Sequence, residues 1–131
     1  MRDLSLAFLL ASQLGVRTPL SVSVAQGPQR SDVYAVIVTQ AGLGMPDLDD
    51  DLRFDQQFAA VRAAYVGCII RLLTLAVQPD PAGAASRIVA LEKTLAEHQW
   101  DRTRNRDRHA TDNKTSLASL REATPQFDWG Q

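Results

Sequence analysis

Two histidines, one cysteine, a cluster of aspartates and a run of arginines are the side chains here whose types could do chemistry. His98 and His109 stand eleven positions apart. That is far from the i, i+4 spacing that brings two imidazoles to one zinc on a helix face, and no His-Glu-x-x-His pattern occurs. Cys68 stands alone, so it can neither close an intrachain disulfide nor build a cysteine zinc site. It falls on an apolar helical stripe with no activating neighbour in sequence, and reads as a small core residue rather than a nucleophile. Asp47, Asp49, Asp50 and Asp51 could offer oxygens to a hard cation. An EF-hand, however, needs spaced ligands, a central Gly and a closing Glu, and Leu48 and Leu52 interrupt the cluster. The aspartates read better as charge at a helix N-terminus. Asp101 to Arg108 holds four arginines that could contact phosphate. Two aspartates interleave with them, and no aromatic residue follows for base stacking. Ion pairs at a helix end are the preferred reading. No catalytic, cofactor-binding or metal-ligating residue is assigned from these patterns, and no nucleic-acid partner.

Length and composition bound what such residues could belong to. The chain has 131 residues, one domain at most or part of one. Hydrophobic residues make up 45%, which supports a packed core. A net charge of −1 implies no overall electrostatic partner. Arg2 and the apolar run Leu4 to Ala11 begin like a signal peptide. Asp3 precedes the run, the run is short and no clear cleavage site follows. The segment therefore reads as an amphipathic helix from about Asp3 to Leu14, stopped by Gly15. No stretch approaches the roughly eighteen uninterrupted apolar residues that span a bilayer, and the apolar Tyr65 to Val77 segment contains Arg71. The cellular location is left open.

The elements that would position these residues follow from periodicity. Leu20 to Val24 alternates apolar and polar residues, the strand period. Val33 to Thr39 is dense in β-branched and aromatic residues. With turn chemistry from Gly27 to Asp32 they make an antiparallel hairpin, too long in its loop for the turn to fix the register. Gln40 to Pro46 is a loop in which Gly42 and Gly44 permit positive φ. A long helix runs from about Leu52 to Val77. Phe54, Phe58, Val61, Tyr65, Cys68, Ile69, Leu72 and Leu75 form its stripe, and Gly67 its point of close approach. Pro79 and Pro81 break it, and a second helix runs from about Ala82 to Arg106. The short connection makes the two antiparallel, with Tyr65 and Leu72 expected to face Leu91 and Leu95. A last helix spans Leu117 to Ala123, capped by Ser116. Phe127 and Trp129 beyond it imply either that the native chain continues or that the tail docks on a core. The fold class is mainly α (α+β), with three to four helices and a small hairpin near the N-terminus.

The order of these pieces resembles the N-terminal helical domain of neprilysin-family zinc metallopeptidases, from about Thr18 to Trp129. The family's loop, Gln-x-Gly-Leu-Gly-Leu-Pro-Asp-x-Asp-Tyr-Tyr, is met here by Gln40, Gly42, Leu43, Gly44, Met45, Pro46, Asp47 and Asp49. Its Ala-Tyr-x-x-x-Ile-x-x-Leu-Leu helix is met by Ala64, Tyr65, Ile69, Leu72 and Leu73. Its Leu-Glu-x-x-Leu-Ala helix is met by Leu91, Glu92, Leu95 and Ala96. Trp100, Arg102, Arg106-Asp107, Asn113-Lys114 and the closing Phe127-Asp128-Trp129 then follow in the family's order. Asp50 and Asp51 stand where two tyrosines are usual, Asp112 where a Tyr precedes Asn113, Gln99 where a His precedes Trp100, Thr115 where a Met is common, and Gly27 about where an Asp is usual.

The resemblance implies a chain comprising, over 1–131, part of the capping domain of such a peptidase. The family's His-Glu-x-x-His and its later Glu-containing motif, which hold the zinc and supply the general base, do not occur in this sequence. By resemblance the chain shapes access to the active-site chamber and is inactive alone. Its partner is then the missing catalytic domain, or a peptide substrate in a complete protein. The alternative is a truncated or repurposed helical interaction module without enzymatic activity. Family members are commonly extracytoplasmic.

Overall fold

The computed structural model describes residues 2–27, 29–45 and 56–130. Among them lie α1 (Arg2–Gln13), β1 (Leu20–Gln26), β2 (Tyr34–Gln40), α2 (Gln56–Leu75), α3 (Pro81–His98), α4 (Arg102–Arg106), α5 (Arg108–Thr111) and α6 (Leu117–Ala123). The fold is mainly helical with one two-stranded antiparallel sheet near the N-terminus. Two compact units result, one comprising the chain up to Gly42 together with Arg102 onward, the other Leu43–Asp101.

In the first unit the hairpin register runs from Leu20 opposite Gln40 to Gln26 opposite Tyr34. Two successive turns close the loop. Arg30 N donates to Gly27 O at 3.1 Å, and Val33 N donates to Arg30 O at 3.3 Å. Gly42 has φ 90°, and a Cβ there would lie 2.8 Å from the Pro19 backbone, so glycine is required on both counts. The valine face of the hairpin stays open. Val22, Val24, Val36 and Val38 are exposed, whereas Ala35 and Ile37 on the other face are half-buried. The sequence alternation therefore marks strands but not the face that packs.

The C-terminal tail of this unit docks. Asp128 N donates to Ser5 Oγ at 2.9 Å, with Ser5 buried in α1. The Phe127 ring lies 5.9 Å from Phe8 and 4.6 Å from Trp129, centroid to centroid. Trp129 Nε1 donates to Thr124 Oγ1 at 2.8 Å. The tail carrying Phe127 and Trp129 thus packs on α1. Ser116 caps α6 as expected, accepting from Ser119 N at 3.1 Å.

The second unit is the helix pair α2 and α3. Tyr65 lies near the middle of α2 and bonds Glu92 near the middle of α3, as an antiparallel pair requires. Asp80 caps α3 by accepting from Gly83 N at 3.0 Å, with Pro81 opening the first turn.

The structure corrects several expectations. The helix expected to reach Arg106 ends at His98. Gln99 is extended (φ −84°, ψ 152°), and its N–H donates to the Leu95 and Ala96 carbonyls. The Asp107 side chain then captures His109 N at 2.9 Å and Ala110 N at 3.2 Å, which starts a new helix instead of prolonging the old one. These short pieces raise the helix count among the described residues to six. Cys68 is exposed, not core. Leu72 and Leu91 do not meet in the helix interface. They are 61% and 60% exposed, because the packed side of α2 runs through Tyr65 and Ile69, one edge of a stripe wide enough to leave its other edge in solvent. A Cβ on Gly67 would meet nothing within 4 Å, so Gly67 is no point of close approach. Phe54 and the Asp47 to Asp51 cluster lie outside the described residues. Phe58 to Leu75 forms a helix long and apolar enough, by length and composition, to cross a membrane, although Arg62 and Arg71 lie within it.

Candidate functional site

α3 buries Ala85, Glu92 and Ala96. Positions i, i+7 and i+11 share one helix face, so Glu92 is a carboxyl group set among small residues on the packed side. It is 8% exposed. Tyr65 on α2 donates its hydroxyl to Glu92 Oε1 at 2.8 Å, and Gly44 N in the loop before α2 donates to the same oxygen at 3.1 Å. Met45, next to that glycine, is buried. One acceptor thus ties together three segments of the second unit. Glu92 Oε2 is equally buried and has no hydrogen-bond partner among the described residues. A buried oxygen left without a donor costs about 1–3 kcal/mol, and among the described residues the node is half satisfied.

Gly44 serves the node by its lack of a side chain. A Cβ there would lie 1.8 Å from Tyr65 Oη and 2.8 Å from Glu92 Oε1. Its φ is not among the positive ones, which fall at Gly15 and Gly42. The expectation of positive φ therefore holds at Gly42, and close approach is the reason at Gly44.

The residues weighed for chemistry are placed apart from this node. His98 is exposed in the last turn of α3, with Nδ1 2.8 Å from Thr94 O. His109 is exposed in α5. Among the described residues no three His, Cys, Asp or Glu side chains gather so as to hold a metal ion. Their donor set does not fit zinc. The perturbed titrating pair among the described residues is superficial. Arg30 Nη2 lies 2.6 Å from Asp32 Oδ2 in the hairpin loop. The guanidinium holds the Asp32 carboxyl below its ordinary value, and the carboxylate raises Arg30. A further loop contact joins Gln29 Nε2, as donor, to Asp112 Oδ2 beside α5.

Sequence reasoning named Tyr65 and Glu92 without joining them, since the contact spans 27 positions and the Gly44 contact 48. The available signal was the phase of Glu92, which falls in line with Ala85 and Ala96 rather than on the polar face of α3. The arrangement can bind and position. It holds a loop against a helix pair with one carboxyl group, and it offers no nucleophile paired with a base.

Residues 2–131 match the model of the N-terminal part of peptidase family M13. Endothelin-converting enzyme-like 1 of Rattus norvegicus is 31% identical over 112 residues, which are 83% of this chain and 14% of that protein. Its counterpart in Mus musculus is 30% identical over a stretch of the same length. The crystal structure of Mycobacterium tuberculosis zinc metalloprotease Zmp1 in complex with an inhibitor matches with a TM-score of 0.88 and 37% identity, covering 97% of this chain and 20% of that one. The cryo-EM structure of the same protease in its open state matches with a TM-score of 0.86. This chain thus spans 14% of the curated relatives and 20% of the solved chains.

Proposed function

Because this chain belongs to peptidase family M13, we propose that it serves as the non-catalytic N-terminal portion of a neprilysin-like zinc metalloendopeptidase, shaping access to the active-site chamber while other residues cut the peptide. The observation that carries the reading is the match of 97% of this chain to 20% of the Zmp1 chain, at 37% identity and a TM-score of 0.88. Identity at that level, over nearly all of this chain, supports a shared role for the matched fifth of the protease. The Gly44–Tyr65–Glu92 node suits such a role, because it ties Gly44 to the α2–α3 helix pair. The partner under this reading is the catalytic domain, and zinc belongs to that domain's ligands.

Metal analysis of the purified chain together with a peptide-cleavage assay tests the division of labour. The expected result is no stoichiometric zinc and no cleavage. Stoichiometric zinc with chelator-sensitive cleavage would overturn it.

A further inference from the structure

Asn113, Lys114 and Thr115 form the triplet Asn-x-Thr with no proline at its centre, the acceptor sequence for an N-linked glycan. The other asparagine, Asn105, is followed by Arg106 and Asp107 and makes no such triplet. The triplet exists because of Thr115, which stands where a Met is common in the family. All three residues lie in the coil between α5 and α6, and all three are exposed, as a bulky, hydrated substituent requires. Asn113 N donates to Thr111 O at 3.0 Å, and Asn113 Nδ2 donates to Ala110 O at 2.8 Å. The carboxamide nitrogen has two hydrogens, and the second bond uses one of them. A sugar in place of the other hydrogen leaves that bond intact, so the coil keeps its form with a glycan attached. Neighbouring hydroxyls have structural work. Thr111 Oγ1 donates to Asp107 O at 2.9 Å, Thr124 Oγ1 to Leu120 O at 2.7 Å, and Ser116 Oγ caps α6. Among the described residues Thr115 Oγ1 makes no hydrogen bond, so neither capping nor burial accounts for a hydroxyl at this position.

We propose that Asn113 is a glycosylation site, taking an oligosaccharide from a lipid-linked donor through an oligosaccharyltransferase as the chain leaves the cytoplasm. Asn113 Nδ2 attacks C1 of the first sugar. The bond from C1 to the oxygen of the lipid diphosphate breaks, a C1–N bond forms, and Nδ2 gives up one proton. Thr115 supplies the hydroxyl that completes the acceptor triplet. The folded coil then holds the glycan in solvent, which keeps this coil at the outer surface of any assembly the chain joins. Neither the site nor the reaction depends on the function proposed above.

The test is expression of the full chain behind a cleavable secretion signal, with a tag that carries its own acceptor triplet, in cultured eukaryotic cells that hold the transferase. Molecules with a glycosylated tag have entered the compartment, and they alone are counted. Most of them should carry a second glycan. Peptide-N-glycosidase should release it without denaturant, because the coil is exposed, and should convert the Asn113 carboxamide to a carboxylate that peptide mass spectrometry locates. Thr115→Met should abolish the second glycan, and Thr115→Ser should retain it. Both substitutions fall on an exposed coil side chain, so a loss of fold does not confuse the comparison. An unmodified Asn113 in chains whose tag is glycosylated would overturn the site. A second glycan that survives Thr115→Met, or one released only after denaturation, would overturn it as well.

Discussion

At the scale of single residues, the informative group is the Glu92 carboxyl, in which, among the described residues, one oxygen has two donors and the other none. Tyr65→Phe removes the 2.8 Å donor and keeps the ring, so denaturant titration should show a loss of about 1–2 kcal/mol. In a double-mutant cycle with Glu92→Leu the coupling should be about 1 kcal/mol, because the two side chains share one bond. A coupling near zero would mean that the bond contributes nothing. Gly44→Ala should be worse than Tyr65→Phe, since its methyl has to displace the Tyr65 hydroxyl. The Arg30–Asp32 pair has a sign that can be worked out. The folded Asp32 carboxyl sits below its unfolded value, so its contribution is present above the unfolded value and is lost as pH falls through the folded one. Both side chains are solvent-exposed, so added salt should weaken the contribution.

At the scale of elements, the ends and interiors of α2 allow opposite predictions. Gly67 is a mid-helix glycine with open space at its Cβ, so Gly67→Ala should stabilise the chain by about 0.5–1 kcal/mol. Val77 ends the same helix with φ 54°. Its N–H donates to Thr74 O and the Gln78 N–H to Leu73 O, the Schellman pattern in which glycine is favoured. Val77→Gly should therefore stabilise by about 1 kcal/mol, read as a shift in denaturation midpoint. A destabilisation would show that the 87% exposed Val77 side chain has a partner elsewhere. These elements also mark what the sequence discloses. Ser116 and the α6 bounds were legible because a cap acts within three residues. The hairpin was legible from its β-branched density, but its register was not, because turns at Gly27 and Arg30 set it rather than a two-residue loop. The break at Gln99 was hidden inside a strongly helical pattern. The Glu92 node was hidden because nothing local announces a contact across 48 positions. The misreading of Cys68 and Leu72 has one cause. Periodicity finds an apolar stripe but not which edge of it packs, and in this chain the Tyr65 and Ile69 edge packs. Leu72→Ala in the isolated chain should accordingly cost less than about 0.5 kcal/mol, against the 2–5 kcal/mol of a fully buried leucine.

At the scale of the whole molecule, a chain of this family that matches 20% of the Zmp1 chain is, under the function proposed above, part of a larger enzyme. Its contribution would then lie in which substrates reach the chemistry. The most direct test is the peptide-length dependence of kcat/KM in Zmp1 carrying this chain in place of its matched fifth, compared with unmodified Zmp1. If the segment shapes access, cleavage of the shortest peptides should stay within about threefold of Zmp1, while the length at which kcat/KM collapses should move, because only longer substrates meet the exchanged surface. A zinc-loaded chimera whose length profile superimposes on that of Zmp1 would contradict the account.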